Sequence, residues 1–472
     1  MRNLESVSAY LASPILRLNA HLSTPLYRNG YSLVLSSAVG SGLGTIYWIV
    51  AARAYSPEIL GGNSAAIAAM MFLAGVAQLN LVSALVRFLP QAGSRTATFV
   101  LVAFGIATIG AALASTVFLM GLSMWAPSLG FLRANLGFSL WFILATIAWT
   151  IYVLQEGVLT GLRQATWVPV KNAVFAVSKL ALLAGFAVLL PAYGVFSSWT
   201  VALVVVLPVN WLVFCRLIPK HIQATEAQAC DLDVAQIARY VSGDYFGALC
   251  WVAATTLLPV VVTNEAGATA AAYFYLPWQV ALLLLAISPN MGSSLVVEAA
   301  FDNARLRAYS YSVLLSTMRM VGAGVVVVVA AAPYIMRVFG EGYETESTTL
   351  LRLLALAAVP NVLTSLSVSV ARAQRRIRVV ASTMALLCVL ALAMSHLLLR
   401  ISGITGVGAG WLIAQTIVAV VAFLVQLRPL WFSQEDDICA VSLKPLDGAI
   451  PNTADSRGLL APPDAVDQKM GD

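Results

Sequence analysis

The chain has 472 residues, 60% of them hydrophobic and 10% charged, with a formal net charge of +6 and a mean hydropathy of +0.86. A soluble domain averages about 45–50% apolar and about 25% charged residues, so an ordinary globular protein is excluded. At about 20–25 apolar residues per crossing, the apolar content supplies about eleven to thirteen membrane spans. Too little is left for a soluble domain, which excludes a singly anchored receptor or enzyme.

Residues 1–28 carry Arg2, Arg17, His21 and Arg28 around a short apolar stretch broken by Pro14. The stretch lacks the hydrophobic region and cleavage site of a signal peptide and reads as a cytoplasmic arm. Hydropathy then predicts twelve spans, at residues 30–52, 65–88, 99–125, 138–159, 169–190, 199–218, 240–262, 273–296, 313–335, 350–371, 379–399 and 405–427. Each is long enough for a helix, and none alternates with the period of two that a barrel strand would show. The hydrophilic connection 219–238 divides the chain into an amino-terminal lobe (29–218) and a carboxy-terminal lobe (239–428), and residues 429–472 form an acidic, Pro-containing tail expected to be a disordered cytoplasmic segment. A loose repeat relates the segment starting at Gly61 to the one starting at Gly267, both second helices of their lobes. Repeats of this kind are common in transporters.

The basic residues set the orientation. With the amino terminus inside, only Arg53, Arg133, Arg337, Arg352 and Arg400 fall outside, two (Lys179 and Arg319) fall within spans, and the other 20 of the 27 Lys and Arg, Lys171 among them, mark the cytoplasmic side. The net positive charge therefore reports topology, including the dense run Arg372, Arg375, Arg376 and Arg378, and no nucleic-acid partner is implied. The five cysteines are scattered, and neither a phosphate-binding G-x-x-x-x-G-K-[ST] loop nor a G-x-S-x-G nucleophile elbow is present. ATP-driven and hydrolytic functions lose support, and no cofactor is expected.

Polar residues at membrane depth are the informative ones. Lys179 lies mid-span, where a charge costs about 2.5–3.5 kcal/mol to insert. It requires a watery cavity, an anionic partner, or an internal pair with an acid such as Glu156 or Asp244. Asn172 lies seven residues earlier on the same helix. Arg319 follows Ser312 and Ser316 in one polar stripe, placed either to bind an anion or to snorkel. Asn361 starts a polar row with Ser365 and Ser369, while Gln78 and Asn80 interrupt the second span; hydrogen bonding between helices and ligand contact are both open to these residues. Tyr273, Tyr275, Trp278 and Gln279 form either an interfacial aromatic belt or a surface for sugar rings. Pro208, Pro259, Pro277, Pro289 and Pro360 lie within spans as candidate hinges. Gly40 and Gly44 form a G-x-x-x-G suited to close helix packing.

Several segments together resemble a known family: RAYSPEILG after the first span, LVRFLP ending the second, GLRQATWVPVKNAVFAVSKLALL through the fifth, LLPVVVTNEAGATAAAYFYLPWQVALLLLAISPNMGSSLVVEAA through the seventh and eighth, and IMRVFGEGYETESTTLLRLLALAAVPNVL into the tenth. The chain resembles bacterial polysaccharide-export flippases of the multidrug/oligosaccharidyl-lipid/polysaccharide (MOP) exporter superfamily. The resemblance implies an all-α membrane protein of two six-helix lobes around a central cavity, in a bacterial or archaeal plasma membrane with both termini cytoplasmic. It implies alternating access and, as substrate, a polyprenyl-diphosphate-linked oligosaccharide moved to the outer leaflet. The implied partners are that lipid, the bilayer and other membrane proteins of polysaccharide assembly. Cavity cations attract the diphosphate in such flippases, and Lys179 lies in the matching SKLALL segment; Arg319 and Arg53 are cavity candidates by depth and charge alone. Outward movement of the head is favoured by about 2.3 kcal/mol per charge per 100 mV. Proton or sodium antiport is the alternative drive, with Glu156, Asp244 and Glu265 as the carboxylates nearest spans. Two other functions use related parts: a multidrug or organic-cation antiporter on the same scaffold, and a membrane glycosyltransferase or polymerase with a large catalytic outer loop.

Overall fold

A computed structural model describes residues 42–225, 234–301, 306–340 and 342–432. The expected arm 1–28, the acidic tail beyond Phe432 and the middle of the 219–238 connection lie outside the described residues. Within them the chain is almost wholly helical. The order is α1 (42–54), α2 (Pro57–Ala77), α3 (Leu81–Phe88), α4 (Thr96–Met120), α5 (Leu136–Gly161), α6 (Trp167–Leu189), α7 (Gly194–Gln223), α8 (234–266), α9 (268–301), α10 (Leu306–Phe339), α11 (Tyr343–Ala373), α12 (377–401) and α13 (404–432).

Nine helical runs among the described residues are long and apolar enough to cross a membrane, and two of these are hairpins. At Gly267 (φ 87°, ψ 168°) the chain leaves helical geometry in a region that favours glycine. There it folds back, because Trp278 reaches the carbonyl of Thr255 at 3.2 Å. A straight helix would hold those residues about 34 Å apart at 1.5 Å per residue. The second hairpin turns at Ser402 and Gly403. With the described part of α1, the spans follow the twelve read from hydropathy in order, so this is a multi-pass helical membrane protein.

The second span differs most from expectation. It starts earlier, because Ser56 and Pro57 set a helix start with proline at the first position. It then breaks at Gln78–Asn80, where Leu79 (φ 47°) and Asn80 (φ 58°) adopt left-handed geometry. The polar pair that interrupted the apolar run therefore ends a helix, and α3 continues as a short helix with one buried face, Leu81, Ala84, Leu85 and Phe88.

The helices pack as two six-span lobes: a buried cluster around Tyr47, Ile67, Phe142 and Phe196 continues across the lobe boundary to Tyr275, Leu276 and Tyr343, and a second, around Phe274, Trp278 and Trp411, lies within the second lobe. The repeat recurs in local geometry. Widened π-type turns at Val213–Leu217 and Phe423–Leu427 close the last span of each lobe, each just before a proline, Pro219 and Pro429. The two segments of the loose repeat also meet directly. An added Cβ at Gly61 in α2 would collide with the backbone carbonyl of Ala268 at the start of α9. Gly44 has nothing within 4 Å of an added Cβ among the described residues, and Gly40 of the G-x-x-x-G lies outside them.

More contacts between lobes gather at the Gly267 end of the bundle. Arg53 Nε donates to Val338 O at 2.9 Å, Asn264 Nδ2 donates to Trp125 O at 2.8 Å, and Ser128 donates to Asn264 Oδ1 through both its backbone N–H and its hydroxyl. At the opposite, Asp244 end, Tyr245 OH donates to Val76 O at 2.8 Å, at the broken end of α2.

The α2–α9 crossing gives a paired prediction. Gly61→Ala is expected to lower stability by about 1–3 kcal/mol, the range for overpacking. Gly62→Ala, where the added carbon meets nothing within 4 Å, is expected to be neutral or to gain up to about 1 kcal/mol. Thermal unfolding of the two variants in detergent measures the difference.

Candidate functional site

The helix α6 buries one stripe, Lys171, Phe175, Lys179 and Leu183, at a constant spacing of four. Two of its four buried side chains are lysines, so this face cannot be a plain apolar contact.

Lys179, at mid-helix, is 5% exposed and enclosed by rings. Its Nζ lies 3.7 Å from the centroid of Trp199, 4.6 Å from Tyr47 and 5.3 Å from Phe175. A desolvated cation over an aromatic face gains about 2 kcal/mol, and several faces together offset part of the burial cost. The rings are held in place. Tyr47 OH donates to Val195 O at 3.0 Å and shares a hydrogen bond with Ser198 Oγ at 2.9 Å. Trp48 packs between Trp199 and Tyr275, whose ring arrives edge-on from α9 at 4.7 Å. The cage rings therefore all belong to the first lobe, and Trp48 links them to Tyr275 of the second.

No described carboxylate pairs with Lys179. Glu156 takes Lys171 at 3.4 Å, Asp244 takes Arg372 at 3.1 Å, and Glu265 takes Arg400 at 3.2 Å with His396 at 3.9 Å. Asn172 turns away from Lys179: its Nδ2 donates to Glu156 Oε1 at 3.1 Å, and its Oδ1 accepts from Tyr152 OH at 2.6 Å. Lys171, counted by sequence among the cations marking one membrane side, is buried in α6.

The other cation candidates sit elsewhere. Arg319 is exposed on the face of α10 opposite its buried Ser310, Val313, Thr317 and Val321. Arg53 lines an open cleft of about 680 Å³ at the Gly267 end, with Arg337 and Glu344 also on its wall. These last two form a bidentate pair at 2.8 and 2.7 Å. Of the aromatic set, Tyr275 packs against Trp48 next to the Lys179 cage, Tyr273 against Tyr343 and Trp278 against Trp411, while Gln279 is half-buried.

No family profile and no curated protein matches this sequence. Solved structures do. An inward-facing multidrug-resistance MATE family transporter of the MOP superfamily is 14% identical, over 83% of this chain and 94% of that one, with a TM-score of 0.64. An outward-facing one is 13% identical over 86% and 96%, with a TM-score of 0.63. A MOP superfamily transporter from Pyrococcus furiosus, whose binding pocket is described as having reverse polarity, is 13% identical over 86% and 96%, with a TM-score of 0.57. The chain has the MATE transporter fold.

Within this MATE fold the second lobe shows why several polar residues lie at membrane depth. A proline removes the N–H that would satisfy the carbonyl four residues earlier. Pro259 thus frees Thr255 O, which accepts from Trp278 Nε1 at 3.2 Å. Pro277 frees Tyr273 O, which accepts from Ser347 Oγ at 2.7 Å. Pro289 frees Leu285 O, which accepts from Asn361 Nδ2 at 3.3 Å. Pro333 frees Val329 O, which accepts from Arg352 Nε at 3.2 Å. These four prolines act as struts between helices in this conformation, and Trp278 and Asn361 are occupied by backbone. The rule of four residues before each proline could have found the freed carbonyls of Tyr273 and Val329 from sequence, though not their donors Ser347 and Arg352, and the spacing of Lys171 to Lys179 could have found the buried stripe. Nothing in the sequence pointed to Tyr47 and Trp199 as partners of a lysine in another helix.

Trp278→Phe leaves Thr255 O unsatisfied and is expected to cost about 1–3 kcal/mol. Pro259→Ala restores the N–H, so in a double-mutant cycle followed by thermal unfolding the tryptophan substitution should cost at least about 1 kcal/mol less in the alanine background.

Proposed function

We propose that this protein is a flippase for polyprenyl-diphosphate-linked oligosaccharides, working by alternating access, with Lys179 receiving the diphosphate. The observation that carries the reading is a cation buried at mid-span in a MATE fold with aromatic faces around it and no described acid beside it. Ring faces hold an ammonium less firmly than a carboxylate would, so a diphosphate can compete for it. Tyr275 packs on Trp48 at the edge of the ring cluster, so separation of the lobes at the Gly267 end would open that edge and loosen the rings around Lys179. The sugar then leaves on that end, proposed as extracytoplasmic from the distribution of Lys and Arg, with the termini cytoplasmic in a plasma membrane. The polyprenyl tail stays in lipid, and the membrane potential drives the head outward without hydrolysis.

An organic-cation antiporter is the second reading, supported by the multidrug-resistance transporters that share the fold. It needs an unoccupied acid in the cavity, whereas Glu156, Asp244 and Glu265 are each paired with a base. A polymerase needs a large catalytic loop, and the longest connection at the Gly267 end, residues 121–135, is mostly short helical turns.

Proteoliposomes loaded with a fluorescent polyprenyl-diphosphate sugar test the reading. Lys179→Gln is expected to slow translocation by roughly ten- to a hundredfold, as for loss of a hydrogen bond to a charged group, while Lys179→Arg retains part of it. Undiminished transport by Lys179→Gln would remove the site. Efflux of cationic dyes with no lipid translocation would favour the antiporter.

A further inference from the structure

Two turns from Lys179 along the same buried stripe, Lys171 sits in a second and differently built pocket. Its Nζ donates to the backbone carbonyl of Tyr152 at 2.6 Å and lies 3.5 Å from the centroid of the Tyr152 ring. Two donors, Lys171 Nζ at 3.4 Å and Asn172 Nδ2 at 3.1 Å, converge on one oxygen, Glu156 Oε1. The hydrogen bond from Tyr152 OH to Asn172 Oδ1 at 2.6 Å fixes the amide so that its NH₂ faces that oxygen. The arrangement is a cradle of donors around an anion, and the anion is the chain's own carboxylate.

That carboxylate is held loosely and from outside. The Lys171 side chain is 1% exposed and that of Glu156 37%, so the acid covers the open side of the cation. Their separation of 3.4 Å exceeds the roughly 2.7–2.9 Å of a charge-assisted hydrogen bond.

We infer that the Lys171 cradle is a second anion station, for a diphosphate, and that Glu156 is an internal placeholder which the diphosphate displaces. The inference rests on the reading of Lys179 as the diphosphate cation and extends it. Eight residues of helix separate the lysines by about 12 Å, too far for one diphosphate to bridge. The stations therefore act in succession, Lys171 near the Asp244 end and Lys179 at mid-span. Glu156 keeps Lys171 neutralised while no anion is bound, which lowers the cost of burying it.

The test is calorimetric titration of the purified full chain in neutral detergent with inorganic pyrophosphate, in a Lys179→Gln background so that the mid-span cation does not contribute. Adding Glu156→Gln, which keeps an oxygen for Asn172, should raise pyrophosphate affinity about tenfold by removing the competing charge. Adding Lys171→Gln instead should abolish binding, and Asn172→Ala should weaken it several-fold. Farnesyl diphosphate binding more tightly than pyrophosphate identifies a lipid-borne head as the ligand, and equal affinities identify a free diphosphate. An ion pair that only joins α5 to α6 gives the opposite pattern: Glu156→Gln lowers the unfolding midpoint with affinity unchanged or reduced, and that result overturns the station. Because translocation by Lys179→Gln is measured separately, this proposal and the reading of Lys179 can fail independently.

Discussion

The structure depends on how a membrane-spanning lobe accommodates a buried ammonium. At mid-span an unpartnered lysine charge costs about 2.5–3.5 kcal/mol on insertion scales, so its burial needs compensation. In this protein the compensation is aromatic. Trp199, Tyr47 and Phe175 turn their ring faces toward Lys179, and Tyr47 is itself fixed by Val195 and Ser198. That requirement organises much of the first lobe: α1, α6 and α7 must converge on one point, and Trp48 and Tyr275 extend the ring cluster across to the second lobe.

The second lobe meets a different constraint, the unpaired carbonyls that prolines leave in a medium without water. Side chains from neighbouring helices occupy four of them, those of Thr255, Tyr273, Leu285 and Val329. Each strut ties two helices of the lobe together, which favours movement of the lobe as a body. The first lobe carries the buried cations and the second carries the braces. The two repeats have thus diverged in role while keeping matching terminal turns at Val213–Leu217 and Phe423–Leu427.

Much of the architecture was legible in the sequence, because hydrophobic length alone defines a membrane helix. Twelve apolar stretches set the order of spans, whereas the close approach of Gly61 to Ala268, within the two segments of the loose repeat, came only from the structure. Lys179 stood out because a charge in an apolar run needs no structure to be noticed. Its surroundings were not legible: the rings come from α1 and α7, and single-sequence hydropathy carries no information on which helices touch. Trp278 and Asn361 show the converse problem. By residue type alone Asn361 suits a bond between helices or a ligand, and Trp278 an interfacial belt or a sugar ring; the structure gives each a backbone carbonyl freed by a proline elsewhere in the chain. Glu156, Asp244 and Glu265 were similarly visible as acids near spans, but their basic partners depend on tertiary contacts.

Native mass spectrometry of the gently purified protein tests most directly whether the caged lysine receives a diphosphate. The account predicts that the wild-type chain retains an adduct with the mass of a polyprenyl-diphosphate-linked sugar and that Lys179→Gln loses it while keeping its other bound lipids. An adduct retained equally by both proteins would contradict it.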